Sequence, residues 1–144
     1  MKKLLCSLFI IFFTFTLCKA QKNALYISFQ PDDIGVGLRY DRVLKPGLGT
    51  YASASFGNYI QGGYIKDHVK IATGAIAYAE TGFVTLGIAY HHYSDNTIPI
   101  PIDKRAFEPL SIELGGGTHL GNAVVAFRMD VIKGTGVVEI GVNF

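Results

Sequence analysis

The residues of this sequence best suited to chemistry lie in one short stretch, His91-His92-Tyr93-Ser94. A histidine near a serine can activate it as a nucleophile, because the imidazole takes the hydroxyl proton while a carboxylate orients the ring. On an extended strand His92 and Ser94 project from one face and His91 from the other. What these side chains can do therefore depends on the element that carries them.

The first twenty residues have the pattern of a secretory signal peptide. Two lysines precede an apolar run over residues 4–17, and small residues stand at the two positions that a signal peptidase inspects before Gln21. This run is too short to cross a bilayer as a helix. We predict a cleaved signal peptide at 1–20 and a single domain at 21–144. A lipidated Cys18 is the alternative, which the bulky residue before it disfavours.

The predicted mature chain is nearly neutral and contains no cysteine. Removal of residues 1–20 takes away three of the 13 Lys and Arg and none of the 11 Asp and Glu, which leaves a net charge of −1. No basic patch remains to bind nucleic acid, and no disulfide can support the fold. Charged residues make up about 17% of the mature chain, below the roughly 25% usual in soluble domains. Little of its surface is therefore built for water.

After residue 20 the sequence alternates with period two between turn residues, and no stretch keeps a helical period. The clearest strand is the last, in which four apolar residues from Val138 to Phe144 share one face. The pattern predicts eight strands near 23–30, 34–43, 49–60, 68–79, 83–93, 107–119, 123–132 and 135–144.

The connections between these strands differ in length. The second, fourth and sixth are short, whereas the third and fifth, at 61–67 and 94–106, are longer. An even strand count with both termini on the short-turn side is typical of outer-membrane proteins. We predict an all-β, eight-stranded antiparallel up-and-down transmembrane β-barrel. A small periplasmic lipid-binding barrel is the alternative, but its outer face would carry many Lys and Glu, and the more polar face here is rich in Gly, Ala and Ser.

The charged residues of the inward face predict a salt-bridged lumen without an open pore, because eight strands enclose little more than side chains. A two-residue turn at Lys133-Gly134 would place Arg128 opposite Glu139. A two-residue turn at Gly121-Asn122 would likewise place Glu113 opposite Asp130 and diagonal to Arg128. The predicted cluster comprises Glu113, Arg128 and Glu139, which Arg39 and Asp41 could join.

The end of the chain resembles the terminal strand by which outer-membrane barrels are recognised for assembly. Val138, Ile140 and Val142 alternate toward Phe144, the aromatic residue on which the sequence ends. With its signal peptide and eight strands, the chain resembles a small bacterial outer-membrane protein. The resemblance implies a location in the Gram-negative outer membrane, contact with its lipid and lipopolysaccharide, and recognition of Phe144 by the barrel assembly machinery.

The segment His92-Tyr93-Ser94 resembles the motif of lipid A deacylases, eight-stranded barrels with a His-x-Ser-Asn segment on the lipid-facing surface and a Glu further on. The resemblance implies His92 as general base, Ser94 as nucleophile and Glu108 as orienting carboxylate in the hydrolysis of an acyl ester. Asp95 stands where that family has Asn, and the motif lies on the fifth strand instead of near the end of the chain.

The period of the fifth strand assigns the two histidines to different surfaces. His92 and Ser94 share the apolar, lipid-facing side, and His91 faces the lumen. The alternative to catalysis is an interfacial belt, in which amphipathic rings lie at headgroup level. We predict this belt and a non-enzymatic structural or surface-interaction role, with the loops at 61–67 and 94–106 facing outward. Adjacent histidines on a strand make a poor metal chelate, so we expect no metal or cofactor.

Overall fold

A computed structural model of the protein describes residues 23–31, 34–61, 64–94 and 108–144. They form eight antiparallel strands, each paired with the next along the chain, and β1 also pairs with β8 to close a barrel. This architecture confirms the predicted fold. In these residues no helix is long and apolar enough to cross a membrane. The strands are β1 (Ala24–Gln30), β2 (Gly35–Lys45), β3 (Leu48–Gln61), β4 (Tyr64–Tyr78), β5 (Gly82–Tyr93), β6 (Leu110–Leu120), β7 (Ala123–Asp130) and β8 (Gly136–Asn143).

Burial alternates residue by residue along the strands. In β1, Leu25, Ile27 and Phe29 are exposed, whereas the residues between them are buried. On the other strands most large apolar side chains are likewise exposed, and the inward face holds polar, charged and small side chains together with a few large apolar ones such as Ile76 and Phe83. Such an exterior is stable in hydrocarbon, where a closed barrel also pairs its own backbone groups.

The two ends of the barrel differ. The first residue of β1 and the last of β8, Ala24 and Asn143, pair at one end, which we call the terminal end. The opposite end carries the connections β1–β2, β3–β4, β5–β6 and β7–β8, and we call it the loop end.

The prediction of a long loop at 61–67 is wrong. β3 runs to Gln61 and β4 begins at Tyr64, so only residues 62 and 63 separate them. Residues 61–67 do not alternate between polar and apolar, so their pattern could not be told from that of a loop. The predicted loop at 94–106 lies almost wholly outside the described residues.

The predicted pairing of β7 with β8 is wrong by two residues, because Arg128 lies opposite Val137 and not Glu139. Five residues connect these strands instead of two. The carboxylate of Asp130 accepts hydrogen bonds from two backbone N–H groups of this turn, at 3.0 and 2.9 Å, and so stabilises the longer form. The pairing of Glu113 with Asp130 is confirmed.

Candidate functional site

The lumen is filled by buried charged side chains that pair with one another. Arg128 donates to Glu139 at 2.6 Å and to Glu113 at 2.7 Å. Arg39 donates to the same Glu139 at 2.6 Å and to Asp41 at 2.6 Å. The predicted cluster therefore forms with all five members. Although Arg128 and Glu139 are not directly opposite, the arginine is long enough to reach the carboxylate diagonally.

Two tyrosines complete this central cluster. The guanidinium carbon of Arg39 lies 4.8 Å from the ring centroid of Tyr26 and 4.7 Å from that of Tyr51. The guanidinium carbon of Arg128 lies 5.1 Å from the same Tyr51 centroid. The Tyr26 hydroxyl donates to Asp41 at 2.9 Å, and the Tyr51 hydroxyl donates to Glu113 at 3.2 Å. Desolvation of each buried ion costs several kcal/mol, so these contacts are needed to balance that cost.

A second group of polar side chains, the His91 cluster, lies toward the loop end and consists of His68, His91, Ser111 and Asp130. Nδ1 of His91 lies 2.9 Å from Nε2 of His68. Nε2 of His91 lies 2.8 Å from the Ser111 hydroxyl and 3.0 Å from Oδ2 of Asp130. His91 thus faces the lumen, as the period of its strand predicted.

Ser111, His91 and His68 are connected like a nucleophile, a base and an orienting group. Asp130 argues against this chemistry, because an ionised carboxylate only accepts hydrogen bonds. A carboxylate oxygen 3.0 Å away favours a hydrogen on Nε2 of His91, and in that state the nitrogen cannot take the proton of Ser111. The same assignment makes Nδ1 of His91 the acceptor for an N–H of His68. The hydrogen bonds of the cluster run from His68 through His91 to Ser111, and Oδ2 of Asp130 lies at ion-pair distance from Nε2 of His91.

The structure does not join the predicted hydrolase residues by hydrogen bonds. His92 is exposed on the outward face, and in the described part of the chain the Ser94 hydroxyl oxygen has no hydrogen-bond partner. Glu108 is exposed, and its backbone carbonyl accepts a hydrogen bond from Lys133 at 2.7 Å. The roles assigned to His92, Ser94 and Glu108 stay a prediction. No group of three or more His, Cys, Asp or Glu in the described ranges could hold a metal ion.

Sequence reasoning missed His68 and Ser111. His68 could have been found from the pairing of β4 with β5, in which Lys70 lies opposite His91. His68 is two residues from Lys70 and therefore lies on the same inward face. This pairing could not be used, because Ala and Gly on both faces of β4 blur the alternation that fixes a register.

The outward face ends in aromatic rings at the terminal end of the barrel. Tyr40 and Phe144 stack there with their centroids 6.5 Å apart, and the Phe144 side chain is 63% exposed. Toward the loop end, Tyr90 and His92 lie on the outward face. Rings in these positions flank the apolar band, as in the aromatic girdles of membrane barrels.

No family model and no curated protein matches the sequence. Among solved structures the chain is similar to the Yersinia pestis outer membrane protein Ail in a phospholipid bilayer nanodisc, with a TM-score of 0.55 and 14% sequence identity over 87% of this chain and 100% of that chain. The resemblance of His92-Tyr93-Ser94 to the lipid A deacylase motif receives no support from these comparisons. At this identity the likeness concerns the fold alone, and that fold is an eight-stranded outer-membrane β-barrel.

Proposed function

We propose that this protein is a bacterial outer-membrane barrel with a closed lumen and a structural or surface-interaction role, without catalysis. The observation that carries the proposal is the inverted distribution of polarity, with an apolar exterior around a salt-bridged interior. The exterior contacts membrane lipid and, at the loop end, lipopolysaccharide. The exposed ring of Phe144 is available for recognition by the barrel assembly machinery.

The central cluster supports a closed lumen. Arg39, Arg128 and Glu139 reach across the barrel from three strands, and all three side chains are fully buried. An eight-stranded barrel encloses little more than its own side chains, which supports the proposal that it has no continuous water path for ions.

We expect the purified barrel to insert into planar lipid bilayers without producing steps of ion current. A sixteen-stranded porin in the same bilayer serves as the positive control, since it encloses an aqueous channel. Current steps whose number rises with the amount of inserted barrel would contradict the closed lumen.

The surface role rests on the hairpin Asn58–Asp67, which we call the projecting hairpin. β2 stops pairing with β3 at Gly57, and β5 stops pairing with β4 at His68. β3 and β4 continue for four further pairs, which at roughly 3.3 Å per residue extends them by about 13 Å. In the described residues no strand pairs with the β3 edge of this hairpin. An open strand edge can bind an extended segment of a partner protein by adding it as a further strand.

To test this role, the projecting hairpin is shortened so that an Asn-Gly turn joins Asn58 directly to Asp67. We expect the shortened barrel to assemble and to keep the heat-dependent gel migration of the full chain, because the removed pairs lie beyond the closed barrel. Attachment of the cells to one another and to protein-coated surfaces should fall at least about threefold, since the partner's backbone pairs are lost. Cells that display the full barrel at equal density are the control. Equal attachment by both would overturn the surface role.

The lipid A acyl-ester hydrolase implied by His92 and Ser94 would replace this proposal if catalysis were found. Its sign would be lipid A with fewer acyl chains in cells that make the wild type than in cells that make Ser94→Ala. Equal acylation in both is the result that the non-catalytic proposal requires.

A further inference from the structure

An arginine at the terminal end of the barrel lies beside an apolar groove on the outward face. Arg42 is exposed on β2, and in the described residues it makes no hydrogen bond or ion pair. The groove has a volume of about 610 Å³ and is lined at this end by Leu44 and Thr50, of which Thr50 lies directly opposite Arg42. We propose that Arg42 and the groove bind one anionic glycerophospholipid, with its phosphate on the guanidinium and an acyl chain in the groove. Such a site rests on the proposed function as an outer-membrane barrel, in which the terminal end faces the leaflet opposite to lipopolysaccharide.

The aromatic girdle indicates how deep Arg42 lies in the membrane. Tyr40 is two residues away on the same outward face and stacks with Phe144. Such rings lie at the interface between hydrocarbon and headgroups. Arg42 is one outward position nearer to the end of β2 at Lys45, so its guanidinium lies among the phosphate groups. A guanidinium can donate two parallel hydrogen bonds to a phosphate, which orients a headgroup better than an ammonium contact does.

The groove leads from the depth of Arg42 into the hydrocarbon. Thr50 lies two residues from the terminal end of β3, whereas Ile88 lies six residues from that of β5 and Ile112 eight residues from that of β6. At roughly 3.3 Å per residue and a strand tilt of about 40°, the rise from Thr50 to Ile112 is about 15 Å. One leaflet has this depth, since the hydrocarbon core of a bilayer is roughly 30 Å thick. The groove is therefore long enough for most of one acyl chain.

The floor of the groove is formed by small residues of β3 and β4, and larger apolar side chains of β5 lie beside it. These residues are Thr50, Thr73 and Ala75 on the floor and Leu86 and Ile88 at the side. The Thr50 hydroxyl donates to the backbone carbonyl of Gly74 at 2.8 Å. The Thr73 hydroxyl donates to the backbone carbonyl of Tyr51 at 2.8 Å. Because both hydroxyls are satisfied within the barrel, an acyl chain can pack on the floor without leaving a polar group unpaired.

The charges beside the groove favour an anionic lipid over a zwitterionic one. Lys45, three residues after Arg42, is exposed and makes no ion pair in the described part of the chain. Among the described residues, the acidic groups on the exterior of this end are Glu80 and the terminal carboxylate of Phe144, and neither forms an ion pair with Arg42. A zwitterionic lipid carries its own ammonium group, which competes with Arg42 for the phosphate. One cation near the membrane surface raises the binding of an anionic lipid about fivefold.

Native mass spectrometry of barrels released from nanodiscs with equal amounts of phosphatidylglycerol and phosphatidylcholine tests the headgroup contact. We expect the wild type to retain one phosphatidylglycerol about fivefold more often than phosphatidylcholine, and Arg42→Gln to retain both lipids equally often. The control Lys133→Gln removes a cation at the loop end and should keep the preference of about fivefold. The same lipid ratio in the wild type and in Arg42→Gln would overturn the site. So would retention of lipid A in preference to phosphatidylglycerol, when lipid A replaces phosphatidylcholine in the nanodisc.

The groove is tested with Ala75→Leu, whose longer side chain fills the floor from the outward face. The total amount of retained lipid should fall at least about threefold, because the acyl chain loses apolar contact with the barrel. The control is Val125→Leu, an outward substitution on β7 away from the groove. Equal lipid retention by the two variants contradicts an acyl chain in the groove. A wild-type barrel that does not enter nanodiscs would overturn the proposed function as well, and heat-dependent gel migration before release separates these two failures.

Discussion

Replacement of Arg128 by methionine should lower the free energy of unfolding of the barrel by about 3–5 kcal/mol. Arg128 is the shared partner of Glu113 and Glu139, both fully buried. Methionine fills a similar volume but removes one cation from each carboxylate. Glu113 keeps Lys70 and the Tyr51 hydroxyl, and Glu139 keeps Arg39 and the Ser28 hydroxyl. Removal of one partner from a buried ion pair costs about 3–5 kcal/mol, which is a large part of the stability of a small domain. Urea unfolding of the refolded barrel, followed by gel migration, measures the loss.

The matched control is Arg42→Met, which makes the same substitution on strand β2. Arg42 is exposed on the outward face, so its replacement should change the free energy of unfolding by less than about 1 kcal/mol. The double variant Arg128→Met with Glu139→Gln should recover part of the loss, because the lumen then loses one positive and one negative charge and its remaining ions stay balanced. An unchanged urea midpoint in Arg128→Met would show that the central cluster contributes little to stability.

The parts of the fold that the sequence predicted are those with strict alternation. In β7 and β8 each residue's face follows from its parity, so the membership of Arg128 and Glu139 in the lumen could be derived before their distance was known. Parity survives an error of two residues in register, because such a shift keeps every side chain on its own face. The cluster was therefore predicted correctly from a wrong pairing.

What the sequence could not supply were details fixed by single side chains. The carboxylate of Asp130 stabilises a five-residue β7–β8 turn by accepting two backbone hydrogen bonds. The sequence is also compatible with a two-residue turn, so the turn length could not be predicted from residue types alone. The His91 cluster needs the registers of β4 with β5, of β5 with β6 and of β6 with β7 at once, since it brings together residues from four strands. The turn region of the projecting hairpin, residues 61–67, does not alternate in polarity, so its pattern did not predict strands there.

Large lumenal side chains leave no room for a Cβ atom at several inward-facing glycines, as Gly87 shows most clearly. A Cβ built there would overlap the hydroxyl of Tyr51 and would lie 2.6 Å from the carbonyl oxygen of Thr73. Tyr51 cannot yield freely, because its ring contacts both guanidinium groups and its hydroxyl donates to Glu113. A larger residue at position 87 therefore disturbs the central cluster through the tyrosine.

We expect Gly87→Val to destabilise the barrel by about 3 kcal/mol or more, because overpacking and the loss of the tyrosine contacts act together. Valine has a higher strand propensity than glycine, so propensity alone would predict stabilisation and cannot account for the expected loss of stability. Ala75→Val on the outward face of β4 is the control and should leave the urea midpoint nearly unchanged. If Gly87→Val unfolds at the same urea concentration as Ala75→Val, then Tyr51 has room to move, and the lumen is packed less tightly than the central cluster requires.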